Sequence, residues 1–208
     1  MMVGKQTAQM KAPVYITAEG SAAGPKEGKG PLGRTFDQVY EDSTLGLKSW
    51  EKAESIMQKD ALNFALTKAG LTDSDLRFLL AGDLLNQCVG SAFGLRDVGV
   101  PFLGLYGACS TMSEGLALGA MLVDGGYAGH LGVVTSSHFC ASERQFRLPL
   151  EYGGQRAPTA QWTVTGAGAA ILSKEGTGPY IGSVTTGKIV DMGIKDVSHM
   201  GATMAPAA

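Results

Sequence analysis

Segments typical of buried β-strands alternate with helical segments along most of this chain, and that alternation restricts the folds open to it. Strand-like runs rich in β-branched and apolar residues occupy 14–17, 76–82, 100–106, 130–135 and 162–172. Helical patterns lie between them, at 49–69, 86–97 and 109–124. Chains of this kind bury a mostly parallel sheet beneath helices. We therefore predict an α/β fold built on a mostly parallel sheet.

The helical pattern at 49–69 is the clearest of the three. Trp50, Ala53, Met57, Ala61 and Phe64 recur at spacings of three and four, which places them on one face of a helix. Gly70 follows directly and is suited to the left-handed conformation that ends many helices. The pattern predicts an amphipathic helix that packs its apolar face against the sheet.

Two other segments carry specific expectations. The pattern at 109–124 has almost no polar face, which predicts a helix buried nearly all round. The segment 20–33 is rich in glycine, lysine and proline, which predicts a loop at the surface.

Composition excludes several classes of function. A net charge of −2 and a pI near 5.9 give no general electrostatic case for binding nucleic acid. The sequence has no run of 18 apolar residues, so it predicts no membrane span. Its first residues lack the apolar core of a secretory signal. We expect synthesis in the cytoplasm without a signal peptide. Three cysteines without zinc-site spacing predict neither a disulfide framework nor a metal centre, and no complete cofactor-binding motif is present.

The most informative position is Cys109, in the segment Gly107-Ala108-Cys109-Ser110-Thr111. Here a predicted strand ends in small residues and a helix begins. Backbone amides and the positive end of the helix dipole would favour a thiolate or a bound anion at this turn. The alternative is an inert cysteine in a tight turn, and the pattern alone leaves both interpretations open.

Other candidate site residues follow predicted strands or occupy a polar loop. Asp83 follows the strand at 76–82 and could contact a ligand or cap the next helix. His138 follows the strand at 130–135, at the edge where open parallel sheets bind ligands, but an ordinary loop histidine is an equal alternative. Arg144 and Arg147 could bind carboxylates, or could be solvated surface residues.

The segment Gly107–Thr111 resembles the thiolase and ketoacyl-synthase superfamily, in which a nucleophilic cysteine opens a buried helix after a central strand. Three further segments resemble, more closely, the stage V sporulation protein AD family of endospore-forming bacteria. They are Glu143-Arg144-Gln145-Phe146-Arg147, Glu151-Tyr152-Gly153, and the run from Thr159 to Gly168. This resemblance extends from about Val14 to the end of the chain.

The resemblance implies a thiolase-like fold in a protein that is not an enzyme and needs no cofactor. It implies binding of dipicolinic acid or its calcium chelate, and support of its uptake into the developing spore. The implied partners are the SpoVA membrane proteins, with a peripheral location at the spore inner membrane, and a homodimer is expected by analogy. Cys109, Asp83, His138, Arg144 and Arg147 are the expected ligand-binding residues. The alternative is an acyl-CoA-dependent acyltransferase or condensing enzyme with Cys109 as its nucleophile.

Thiolase-like proteins pair two similar halves, and the second half supplies the histidine or asparagine partners of the cysteine. The resemblance therefore implies that 1–190 form the first half and that 191–208 begin a truncated second half. On this reading the usual catalytic partners of Cys109 are absent from the chain.

Overall fold

The computed structural model describes residues 1–146, 162–195 and 200–207. The chain divides into two compact units, one formed by Met10–Gly182 and the other by Met1–Gln9 together with Ser183–Ala208. The strands are β1 (Met2–Val3), β2 (Thr7–Ala23), β3 (Gln38–Val39), β4 (Phe78–Gly82), β5 (Phe102–Gly104), β6 (His130–Ser137), β7 (Gly166–Ser173) and β8 (Tyr180–Thr185). The α-helices are α1 (Pro25–Gly28), α2 (Trp50–Ala69), α3 (Val89–Leu95), α4 (Thr111–Asp124), α5 (Phe139–Phe146) and α6 (Met200–Ala207).

The sheet of the larger unit has the strand order β2-β7-β6-β4-β5. Its centre is parallel, because β4 pairs in parallel with β5 on one side and with β6 on the other. On the far side of β6, β7 and then β2 are added in antiparallel orientation. The predicted α/β fold with a mostly parallel core is confirmed.

Helices α2 and α4 cover opposite faces of this sheet. A Cβ built on Gly132 would point at the Leu62 side chain of α2, at 3.4 Å. One residue earlier on the same strand, Leu131 lies 2.9 Å from the Cβ position of Gly119 in α4. Successive residues of a strand point to opposite faces, so the two helices sandwich β6.

Helix α2 confirms the predicted amphipathic segment. The Ser49 side chain accepts a hydrogen bond from the Lys52 amide at its start, and Gly70 ends it with a left-handed φ of 67°. Its buried face includes the predicted Ala53, Met57 and Ala61. It also includes Glu54 and Gln58, two polar residues that are 0% exposed and that become important below.

The expectation that the helix at 109–124 is buried nearly all round is wrong for the described residues. One face of α4 is buried, at Gly115, Gly119, Ala120 and Val123, where it packs against the sheet. Leu118, on another side of the helix, is 39% exposed. A helix that packs on one sheet has only one face buried by that sheet. An apolar sequence pattern does not bury the other faces of α4 unless another element packs against them.

The predicted surface loop at 20–33 is also partly wrong. Gly20 to Ala23 are the end of β2, where Ala22 and Ala23 are 2% exposed. A Cβ on Gly20 would lie 2.0 Å from the Ala61 carbonyl oxygen of α2. Glycine is needed here because two backbones meet, not because the chain turns. Helix α1 follows within the remainder of the segment.

The smaller unit contains a short hairpin. β1 pairs antiparallel with the start of β2, with Met2 opposite Ala8. The Thr186 amide donates to the Gln6 carbonyl at 3.0 Å, and the Gln6 side chain donates to the Thr186 carbonyl at 2.7 Å. The domain boundary expected near 190 stays a prediction. None of the helices in the described ranges is both long and apolar enough to cross a bilayer.

Candidate functional site

The loops that follow β4 and β5 lie side by side at one edge of the sheet. The two strands are parallel, so their carboxyl ends meet at the same edge. A Cβ on Gly82, the last residue of β4, would lie 2.1 Å from the Leu105 carbonyl oxygen and 2.6 Å from Cγ2 of Thr111. The Cys88 thiol donates to that same carbonyl oxygen, with 3.1 Å between sulfur and oxygen. These contacts bring the segment after Asp83 against the turn that carries Cys109.

Cys109 is exposed and lies in a single 3₁₀ turn, Ala108–Ser110, that leads into α4. The residue before it, Ala108, has a left-handed φ of 47°, which is unfavourable for a residue with a Cβ. Two hydroxyls brace the turn. Thr111 donates to the Ala108 carbonyl at 2.8 Å, and Ser110 donates to the Gly107 carbonyl at 2.7 Å. The thiol is thus presented at the surface from a tightly held backbone.

Asp83 is 2% exposed and uses its carboxylate within the protein. Oδ1 accepts from the Leu85 amide at 2.8 Å. Oδ2 accepts from the Ser91 amide at 2.7 Å and from the Ser91 hydroxyl at 2.6 Å. Asp83 therefore anchors the segment 85–91. This role is similar to helix capping, one of the two roles that the sequence suggests for Asp83. Direct ligand contact by Asp83 stays a prediction.

The anchored segment contains two consecutive residues in the left-handed region, Gln87 with φ 59° and Cys88 with φ 53°. Such conformations cost of the order of 1 kcal/mol or more each and persist only where neighbouring contacts impose them. The bonds to Asp83 and from Cys88 to Leu105 are contacts of that kind. Burial raises the pKa of the Cys88 thiol, so Cys88 is held as a neutral hydrogen-bond donor.

His138 is 0% exposed and uses both ring nitrogens. Nδ1 accepts from the Cys140 amide at 3.2 Å, so the proton is on Nε2, which donates to the Ser43 carbonyl at 2.7 Å. Burial lowers the pKa of His138. The structure thus shows His138 as a tether between the end of β6 and the loop at Ser43. Its predicted contact with a ligand is untested.

Ligand binding by the two arginines, Arg144 and Arg147, stays a prediction. Arg144 belongs to α5, but its side chain is not among those described, and Arg147 lies outside the described residues.

Sequence reasoning missed a group of buried polar side chains beneath these loops. Glu54, Gln58 and Ser91 are each 0% exposed, and Ser136 joins them from the end of β6. Burial raises the pKa of Glu54 to about 8, and the nearby charge of Asp83 acts in the same direction. The available signal was the spacing of Glu54 and Gln58, four residues apart and beside the apolar stripe of α2.

Solved structures with a similar fold include an acyl-carrier-protein synthase and a β-ketosynthase. The 3-oxoacyl-[acyl-carrier-protein] synthase III of Aquifex aeolicus VF5 matches with a TM-score of 0.53 at 18% identity, over 78% of this chain and 54% of that one. The priming β-ketosynthase of the R1128 polyketide pathway matches with a TM-score of 0.51 at 16% identity, over 84% of this chain and 54% of that one. At such identities the likeness concerns the fold alone. The described residues therefore have the thiolase-like α/β fold that the sequence predicts.

The particular family is shown by sequence. Residues 4–208 match the family model described as stage V sporulation protein AD (SpoVAD). The stage V sporulation protein AD of Bacillus subtilis (strain 168) is 49% identical over 207 residues, covering 100% of this chain and 61% of that protein. The chain belongs to the stage V sporulation protein AD family, and it spans about 61% of the length of this curated relative.

Proposed function

We propose that this chain acts in spore formation as a non-enzymatic, thiolase-like protein that binds dipicolinic acid or its calcium chelate and supports its uptake into the developing spore. Membership of a sporulation family supports the setting. The observation that carries the binding role is the exposed Cys109 turn, held rigidly at the start of α4 beside the anchored segment 85–91.

A flat dicarboxylate suits this turn for physical reasons. Backbone amides at the start of a helix, together with its dipole, favour a bound anion. α4 has 14 residues and begins at Thr111, two residues after Cys109. Arg144 and Arg147 are proposed to pair with the carboxylates as bidentate donors. Asp83 is proposed to act behind the pocket wall, because its carboxylate oxygens already bind Leu85 and Ser91.

Among the described residues, the state of His130 and His138 favours binding over catalysis. A nucleophilic cysteine is usually paired with a base within hydrogen-bond reach. His138 has both nitrogens engaged. His130 begins β6, at the sheet edge opposite the Cys109 turn, and its Nδ1 lies 2.8 Å from the Ser173 hydroxyl. The alternative, acyl transfer from acyl-CoA through Cys109, is favoured only by the exposure of the thiol and by the fold of the condensing enzymes.

The proposed partners are the SpoVA membrane proteins, with the chain peripheral at the spore inner membrane. We also propose a homodimer. Among the described strands β5 pairs with β4 alone, which leaves its other edge open, and Phe102 and Leu103 on it are 39% and 43% exposed. Open apolar strand edges favour pairing with a second chain.

Calorimetric titration of the full chain with dipicolinate, with and without calcium, tests the binding role. We expect saturable binding that Cys109→Ala weakens at least tenfold. Ser183→Ala, at an exposed position of β8, is the matched control and should bind like the parent. No saturable binding, or equal affinity in Cys109→Ala, would refute the proposal. A stoichiometric acyl adduct on Cys109 after incubation with acyl-CoA, seen by mass spectrometry, would support the enzyme instead.

A further inference from the structure

A directed chain of hydrogen bonds runs beneath the candidate site and joins two buried carboxyl groups. Its centre is the side-chain amide of Gln58. Nε2 lies 2.9 Å from the Ser91 hydroxyl, 2.8 Å from the Ser136 hydroxyl and 3.3 Å from the Gly82 carbonyl oxygen. The Gly82 oxygen can only accept, so it identifies this end of the amide as the nitrogen, and its longer contact shares a hydrogen with one of the serines.

The direction of each remaining bond follows from the amide. The amide nitrogen carries two hydrogens, and the two shorter contacts direct them to the two serine oxygens, so each hydroxyl proton is available to a carboxyl group. Ser91 donates to Asp83 Oδ2 at 2.6 Å, and Ser136 donates to Glu54 Oε1 at 2.8 Å. The chain thus spans α2, the ends of β4 and β6, and α3.

The two carboxyl groups at the ends are not equivalent. Asp83 also receives the backbone amides of Leu85 and Ser91. Glu54 receives only the Ser136 hydroxyl among the described residues, and its Oε2 is buried without a described hydrogen-bond partner. Two like charges in one buried cluster repel. Ionisation of Glu54 is therefore disfavoured, because Glu54 is buried near Asp83 with fewer hydrogen-bond donors around it.

We propose that Glu54 and Gln58 are positioning residues for the candidate site. The Gln58 amide joins the two serines, and neutral Glu54 leaves Asp83 as the single charge that holds the amides of Leu85 and Ser91 beside the Cys109 turn. This role in ligand binding rests on the proposed function, whereas the positioning of the segment 85–91 does not.

Ionising Glu54 should therefore loosen that segment. The charged groups that act on Glu54 are Asp83 at the end of β4 and Glu51 on its own helix, and both oppose a second negative charge. We call the form in which Asp83 holds the segment 85–91 the closed form, and the form in which these bonds are broken and Glu54 is exposed the opened form. Burial raises the pKa of Glu54 to about 8 in the closed form, above its ordinary value. The closed form therefore retains a proton that the opened form releases. Stability of the closed form is full at low pH, declines as pH rises towards 8, and levels off above it.

The test is amide hydrogen exchange at Leu85 and Ser91 in the full chain without ligand, with rates corrected for their intrinsic pH dependence. Between pH 7 and 8, where histidine with its ordinary pKa near 6.5 is mostly neutral and His138 adds little to the slope, parental protection should fall by up to about tenfold per pH unit. Glu54→Gln, a neutral isostere that keeps the acceptor for Ser136, should be flat over this range. The matched control Glu41→Gln, at an exposed position, should keep the parental slope.

A second pair of variants tests Gln58. Gln58→Glu replaces the donor by an acid, and protection at Leu85 and Ser91 should already be at least tenfold lower at pH 6.5. Asn63→Asp makes the same chemical change on the exposed side of α2 and should leave protection unchanged. A flat parental profile, or a Glu54→Gln profile that falls like the parent's, would overturn the proposal even if Gln58→Glu failed to fold.

Dipicolinate titration then separates the two proposals. Glu54→Gln should match the parent in affinity at pH 6.5 and exceed it at pH 8. If exchange behaves as expected and dipicolinate does not bind the parent, the proposed function fails and the positioning role stands. If dipicolinate binds and the exchange profile is flat, only the positioning role fails.

Discussion

At the residue scale, Gly82 decides how closely the two candidate loops meet. It ends β4 and precedes Asp83, and it has no side chain where the Leu105 carbonyl and the Thr111 methyl group approach. The obstacle to a larger residue is backbone, which cannot rotate away as a side chain can.

Gly82→Ala should therefore destabilise the chain by about 1–3 kcal/mol, because the new methyl would lie 2.1 Å from the Leu105 oxygen and must displace it. Urea unfolding followed by circular dichroism measures the effect. Gly129→Ala is the control, since no atom lies within 4 Å of its Cβ position, and it should change stability by less than about 0.5 kcal/mol. Equal effects of the two changes would contradict the close approach of the loops.

At the scale of elements, α4 shows how an apolar pattern and actual burial can differ. The helix has buried residues where it meets β6 and half-exposed apolar residues elsewhere. Periodicity reports the polarity of a face, whereas burial requires another element to cover it.

Truncations on α4 should reflect this asymmetry within the present chain. Val123 is 2% exposed, so Val123→Ala should cost about 2 kcal/mol through lost burial and the cavity it leaves. Leu118→Ala removes a larger group from a position that is 39% exposed, and should cost under about 1 kcal/mol. Chemical denaturation of both variants checks the order, and a larger cost for Leu118→Ala would show that this face is covered.

At the scale of the whole molecule, β5 forms one end of the strand order in the larger unit. Pro101 accepts from β4 through its carbonyl oxygen, and the Leu105 amide donates to β4. The intervening even-numbered residues, Phe102 and Gly104, therefore present their backbone groups to the open edge, because these groups alternate along a strand.

If a homodimer forms across this edge, Leu103→Glu should disperse it. A strand paired with its symmetry mate brings the two introduced carboxylates near each other, and like charges across a strand pair are destabilising. Sedimentation should give a dimer for the parent and a monomer for the variant. Tyr127→Glu, at a position 70% exposed in the turn before β6, is the control and should stay dimeric. A monomeric parent would contradict the proposed dimer.

Much of the fold could be predicted from local sequence. The amphipathic stripe and the Ser49 and Gly70 caps define α2 almost to the residue, because these signals act within one or two helical turns. The strand at 100–106 was predicted too long: β5 is Phe102–Gly104, since its pairing with β4 decides where it ends. The predicted helix at 86–97 is interrupted at Gln87 and Cys88, which have left-handed conformations. Local propensity disfavours such conformations, so the sequence alone does not predict the interruption.

By itself, the sequence determined the α/β class, the order of the elements, and the cysteine at a strand-to-helix turn, because each depends on residues close together in the chain. Only the tertiary structure decided that Asp83 and His138 are tied into the protein, and that Glu54, Gln58, Ser91 and Ser136 form one buried chain. These contacts join residues 8 to 95 positions apart. Whether a buried carboxyl group holds a proton depends on the neighbours that such long-range packing brings to it.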